Sequence, residues 1–122
     1  MIKISHADIR VTNLRLRAFI GIKPEEQNNL QDVVINIRLS YSASEAAFGD
    51  KIESALNYRS ITKAVIEFVD GNSFQLLERL TNDILNLVMT DSRVQNAEVR
   101  VEKPHALRFA DSVSISLAGF RK

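Results

Sequence analysis

The sequence contains no cysteine, which excludes disulfides, thiolate catalysis and cysteine-ligated metals, and which fits a reducing compartment such as the cytoplasm. Neither sign of charge is in real excess. Sixteen Lys and Arg oppose fifteen Asp and Glu, a net charge of +1, so no global field recruits nucleic acid or a membrane surface and any anionic ligand must be caught locally. Long hydrophobic runs are missing as well. Stretches such as Val33-Val34-Ile35 fall far short of the ~18 apolar residues that cross a bilayer. Residues Met1 to His6 alternate polar and apolar side chains, without the basic start and continuous apolar stretch of an export signal. The two histidines, His6 and His105, belong to no H-E-x-x-H arrangement, which argues against zinc. A P-loop, a dinucleotide-type glycine turn and a G-x-S-x-G elbow are likewise lacking. No metal, cofactor, nucleic acid or membrane partner is expected.

What is present is an ordinary soluble composition, 45% hydrophobic and 25% charged over 122 residues. That length suits one domain spanning residues 1–122, large enough to bury roughly two thirds of its unfolded surface.

Apolar residues at Ile9 and Val11, then at Leu14, Leu16, Ala18 and Ile20, predict a first strand whose parity switches around Thr12-Asn13, where a β-bulge restores one buried face. From Asp32 to about Ser42, Val33, Ile35, Ile37, Leu39 and Tyr41 alternate with polar positions, as in a half-buried strand. The Gly-, Pro- and Asn-containing stretch from Gly21 to Leu30 favours a long connection between them over a tight turn. The period then changes. Ile61, Val65 and Phe68, with Asn57 as N-cap and Gly71-Asn72 as stop, predict one helix. Leu77, Leu80, Ile84, Leu87 and Val88 predict a second from about Phe74 to Thr90. Strand alternation returns at Val94 to Lys103 and at Ser112 to Leu117. The order ββααββ implies an α+β domain, a four-stranded antiparallel sheet with two helices on one face. Arg10, Arg15, Arg17, Asn36, Arg38, Glu98, Arg100 and Glu102 make the other face largely polar.

Several residues break these local patterns. Lys103 shares the apolar parity of Ala97, Val99 and Val101. Pro104 then ends ladder pairing, so Lys103 either snorkels outward or enters a pocket where desolvation makes it a useful general acid or base. Glu78 reads as a mid-helix residue between Phe74 and Leu85, either solvated or a carboxylate that accepts a two-pronged set of N–H donors. Tyr58 follows the presumed cap Asn57 and either packs or offers its hydroxyl. Glu25 and Glu26 in the long connection form either a surface pair or part of a site.

Gly21-Ile22 followed by Glu26-Gln27, then Leu56-Asn57-Tyr58, Phe74-x-Leu76-Leu77-Glu78 and Lys103-Pro104-x-Ala106, in that order and at compatible spacings, resemble the blocks of the dihydroneopterin aldolase family. The similarity covers nearly the whole chain. Asn13 to Lys23 and His105 to Ser114 resemble the branch of that family that epimerises dihydroneopterin triphosphate at C2'.

The resemblance implies the family's tunnelling fold and a task for each odd residue. Glu78, with Leu77 beside it, binds the aminopyrimidine edge of a reduced pterin. Lys103 exchanges a proton at N5, through a water also held by Glu26, and Tyr58 handles the proton of the side-chain hydroxyl. Retro-aldol cleavage between C1' and C2' follows without a cofactor. Release of the fragment makes an aldolase, whereas retention and re-addition make an epimerase. A triphosphate demands cations, with Arg108 and His105 the first candidates and Arg15, Arg17, Lys23 and Arg59 alternatives. A non-catalytic pterin-binding ring is the remaining alternative, opposed by the intact Glu26, Tyr58, Glu78 and Lys103. The family further implies a homo-octamer of two stacked four-subunit rings, with sites shared between neighbouring subunits.

Overall fold

In a computed structural model that describes residues 2–122, strand β1 (Ala7–Ile20) leads through a single helical turn, α1 (Pro24–Gln27), to β2 (Gln31–Tyr41). Helix α2 (Ser44–Gly49) and a 3-10 turn (Ile52–Ser54) precede α3 (Tyr58–Val69). A two-residue strand β3 (Ser73–Phe74), helix α4 (Leu77–Val88), β4 (Asn96–Pro104) and β5 (Ser112–Phe120) complete the chain. The sheet has five strands in the order β3-β1-β2-β4-β5, so the expected four-stranded sheet and the plain ββααββ order are both too simple.

The extra strand arises where a helix was expected to begin. Ser73 and Phe74 pair in parallel with Phe19 and Ile20, and α4 starts only at Leu77. Hydrogen bonds from Phe19 N to Asn72 O (2.9 Å) and from Gly21 N to Phe74 O (3.0 Å) give the segment more backbone pairing than an early helical turn offers. Helix α1 was also missed. Its signals were Pro24 at the first helical position and Glu25 and Glu26 in the first turn, which suit the positive end of a helix.

The β1 bulge occurs where the parity switches. The β1–β2 register shifts between Val11 and Leu14, Asn13 adopts φ 54°, and Asn13 and Asn36 exchange hydrogen bonds of 2.9 and 3.2 Å. Asparagine tolerates this left-handed conformation better than most residues. The bulge keeps Ala18 and Ile20 in one core with Val33, Ile35, Ile37 and Leu39 of β2, with Ala97, Val99 and Val101 of β4, and with Val65, Val69, Leu80, Ile84 and Val88 of the helices. Asn57 caps α3 by accepting from Ser60 N at 3.0 Å, as its position before the apolar period foretells.

Helix α3 runs alongside β1. Tyr58 and Thr62 share a cleft with Ile9 and Val11, while past its other end Gly71 N donates to Arg17 O at 2.8 Å. Two ends of the molecule are thereby defined, one at the start of β1 beside Tyr58 and the other at its finish beside Gly21. No helix among the described residues is long and apolar enough to cross a membrane.

Candidate functional site

The finishing end of β1 gathers most of the unusual residues. Ladder pairing in β4 continues through Lys103 opposite Val113 to Pro104 opposite Ser112, one residue further than expected, because a proline at a strand's last residue gives up little pairing. The chain then turns at His105, φ 68°.

Lys103 points inward. Its side chain is 12% exposed, and Nζ lies 3.0 Å from Glu26 Oε2 and 3.4 Å from Ile20 O. Only part of the ammonium's donor capacity is used by these two acceptors, so it can still meet a ligand.

Glu26 is delivered by α1. Its other carboxylate oxygen, Oε1, accepts from the Lys23 backbone N–H at 3.3 Å. The hydrogen bond from Lys103 holds the Glu26 carboxyl below the ordinary glutamate range; burial opposes this and the Lys23 N–H assists it. Glu26 is therefore a fixed anion at neutral pH.

Gly21 explains why a glycine stands five residues ahead of this glutamate. Its φ is +138°, and a Cβ placed there would meet the Glu26 carboxylate carbon at 2.3 Å. Only a residue without a side chain lets the carboxylate lie across the backbone at that point. Gln31 is a positioning residue that no sequence pattern singled out. Its Nε2 donates to Ile20 O at 2.7 Å and reaches Glu26 O at 3.4 Å, tying the end of β1 to α1.

Glu78 differs from its expected setting. It is an exposed residue in the first turn of α4, not a mid-helix residue on an apolar ridge, because Phe74 belongs to β3. Half-buried Leu77 is the first helical residue. Both follow closely on Phe74, whose carbonyl accepts from Gly21 N, so they stand at the same end of the sheet as Glu26 and Lys103. His105 and Arg108 lie in the exposed loop after β4, where the Arg108 guanidinium stacks over the Phe109 ring at 5.4 Å.

Tyr58 is not with them. It is the first residue of α3, 49% exposed, and borders a cleft of ≈ 570 Å³ with Ile9, Val11, Arg59, Thr62 and Lys63. From Val11 to Ile20 the extended strand covers roughly 30 Å, far beyond the reach of two side chains. One copy of the chain does not bring Tyr58 to its own Lys103.

The sequence profile of the dihydroneopterin aldolase family matches residues 9–118, and the chain belongs to that family. It is 61% identical over 115 residues to a dihydroneopterin triphosphate 2'-epimerase of Pseudomonas aeruginosa, covering 94% of each chain. It is 53% identical over 112 residues to a dihydroneopterin triphosphate 2'-epimerase of Escherichia coli, covering 92% of this chain and 93% of the other. In three dimensions it matches E. coli dihydroneopterin aldolase, solved in complex with neopterin, with a TM-score of 0.88 at 24% identity over 93% of this chain and 98% of that one.

Proposed function

We propose that this protein epimerises 7,8-dihydroneopterin triphosphate at C2', giving 7,8-dihydromonapterin triphosphate by breaking and re-forming the C1'–C2' bond. The 122 residues act as one domain, and no cofactor takes part. The observation that carries the chemistry is Lys103 Nζ, sheltered and 3.0 Å from the ionised Glu26, a proton donor with its counter-ion locked in place. The 61% identity to a named triphosphate epimerase supports the choice of substrate.

Glu78 and the neighbouring backbone receive the pterin's N–H edge, a planar donor pair suited to a carboxylate. Leu77 packs against the ring, and His105 and Arg108 flank it. With the ring so held, the proton of the 2'-hydroxyl is relayed through the Tyr58 hydroxyl to water. The C1'–C2' bond cleaves, C2' becomes an aldehyde carbon, and the bonding electrons pass through C6 to N5, which takes a proton from Lys103. The pterin is its own electron sink, so no Schiff base is required. The aldehyde fragment turns, C1' attacks its opposite face, Lys103 recovers the N5 proton and a proton is relayed back through Tyr58 to the 2'-oxygen. The net change is inversion at C2'.

Because Tyr58 and Lys103 stand at opposite ends of one chain, a complete site requires two copies. Most of the outer backbone of β1 pairs with nothing in the five-strand order, and β5 is the other edge. Such edges are prepared for strand-to-strand association. Four copies closing into a ring, and two rings stacking as an octamer, satisfy both the edges and the split site.

Chiral chromatography of the products from 7,8-dihydroneopterin triphosphate and, separately, from 7,8-dihydroneopterin tests the reading. The expected result is efficient appearance of the 2'-epimer from the triphosphate with little free aldehyde. Dominant cleavage of the unphosphorylated substrate to 6-hydroxymethyl-7,8-dihydropterin and glycolaldehyde makes the protein an aldolase instead. Turnover of neither leaves a pterin-binding ring.

A further inference from the structure

In the proposed reaction Tyr58 works at the 2'-hydroxyl, and the triphosphate is esterified one carbon further along the same side chain. Wherever Tyr58 lies, the phosphates must therefore lie beside it. We infer that Arg59 and Lys63, which rim the Tyr58 cleft, form the subsite for the triphosphate, supplied by the subunit opposite the one that holds the ring. This inference rests on the epimerase reading and adds the residues that select the phosphorylated substrate.

The cleft of ≈ 570 Å³ is lined by the apolar Ile9, Val11 and Ile66, with Arg59 and Lys63 at its border. Arg59 and Lys63 are one turn apart on α3, on one face of the helix, where like charges repel. Among the described residues neither makes an ion pair, so their mutual repulsion is relieved by no direct salt bridge. An anion carrying several charges relieves both at once. The start of α3 adds the positive end of its dipole, and the apolar lining limits the solvent that would screen the attraction. Tyr58 and Lys63 are separated by about 7.5 Å along the helix axis, which matches an extended triphosphate laid along that face.

The other basic candidates are less suitable. Arg17 is tied to Asp32 at 3.3 Å and to Leu30 O at 3.1 Å. The guanidinium of Arg108 lies on the Phe109 ring, at the opposite end of the chain from Tyr58.

The experiment is fluorescence titration of the full-length protein with neopterin triphosphate and with neopterin, oxidised analogues that do not react, for the wild type, Arg59→Gln, Lys63→Gln, the double variant and Arg108→Gln. Each single change at the cleft is expected to raise Kd for the triphosphate roughly tenfold, and the double change considerably more. Kd for neopterin should stay within about twofold, which also reports an intact fold and ring site. Triphosphate binding by the wild type should weaken with salt, and the double variant should lose most of that dependence. Equal losses for both ligands, or a triphosphate-specific loss in Arg108→Gln with none at Arg59 and Lys63, overturns the subsite. If the wild type epimerises the triphosphate but the cleft variants bind it normally, only the subsite fails. If the wild type turns over neither substrate, the epimerase reading fails and takes the subsite with it.

Discussion

The two ends of β1 are built on different principles. At its finish, Glu26, Lys103, Ile20 O, Gln31 and the Lys23 N–H are joined by hydrogen bonds from 2.7 to 3.4 Å, and Gly21 leaves room for them. At its start, Tyr58, Arg59 and Lys63 project from α3 over an apolar cleft, and Arg59 and Lys63 are unpaired among the described residues. The first end is organised within the chain and the second is left for something to complete it. Proton transfer to a ring nitrogen needs a donor fixed in position, whereas a charged, flexible phosphate tail supplies the missing partner itself. A site divided this way also makes activity depend on assembly.

The largest effect should come from separating the ends genetically. Lys103→Ala and Tyr58→Phe are each expected to lower kcat by roughly 10²–10⁴-fold. When the two inactive proteins are dissociated, mixed and reassembled, a fraction of wild-type activity should return, because some sites then combine an intact Tyr58 from one chain with an intact Lys103 from another. No recovery in verified mixed oligomers would mean that the two residues do not share a site across chains.

An intermediate effect is expected at Gly21. In Gly21→Ala the new methyl collides with the Glu26 carboxylate and the backbone is strained by about 1–3 kcal/mol. The melting temperature should fall and kcat with it. Neopterin triphosphate should still bind through the Tyr58 cleft, more weakly only to the extent that the ring edge is disturbed. Unchanged activity in a folded Gly21→Ala protein would show that the Lys103–Glu26 geometry is dispensable.

The smallest effect concerns pH. Because the folded-state pKa of Glu26 is lowered, chiefly by Lys103, its ionised form is favoured by folding. The associated stability is fully present above the unfolded glutamate value of about 4.3 and is lost as pH falls through the lower folded value. Urea unfolding of wild type and Glu26→Gln across the acid range should show the wild-type advantage shrinking as pH drops. An advantage that does not vary with pH would remove the charge of Glu26 from the explanation.

Much of the frame was legible from local patterns. The parity switch in β1 marked the bulge, Asn57 marked the start of α3, and the alternation in β2, β4 and β5 marked strands, because each signal depends on near neighbours. Phe74 was read as the start of a helix since its strand partner, the end of β1, lies more than fifty residues away in the chain. Glu78 was misplaced for the same reason. Once Phe74 pairs as a strand, α4 begins later, and an apparent mid-helix residue becomes an exposed carboxylate in the first turn. Gln31 carried no signal because its role is to bond backbone carbonyls brought near it only by folding.

By itself the sequence determined which residues are chemically out of place: a lysine in an apolar register, a glutamate five residues after a glycine, a tyrosine behind a helix cap. Periodicity and residue type are local properties, and they suffice for that. Only the tertiary structure decided how those residues are grouped, because grouping depends on long-range strand pairing and on the direction in which α3 runs along β1. It turned Lys103 onto Glu26, placed Gly21 beneath the carboxylate and put Tyr58 at the far end of the strand beside Arg59 and Lys63.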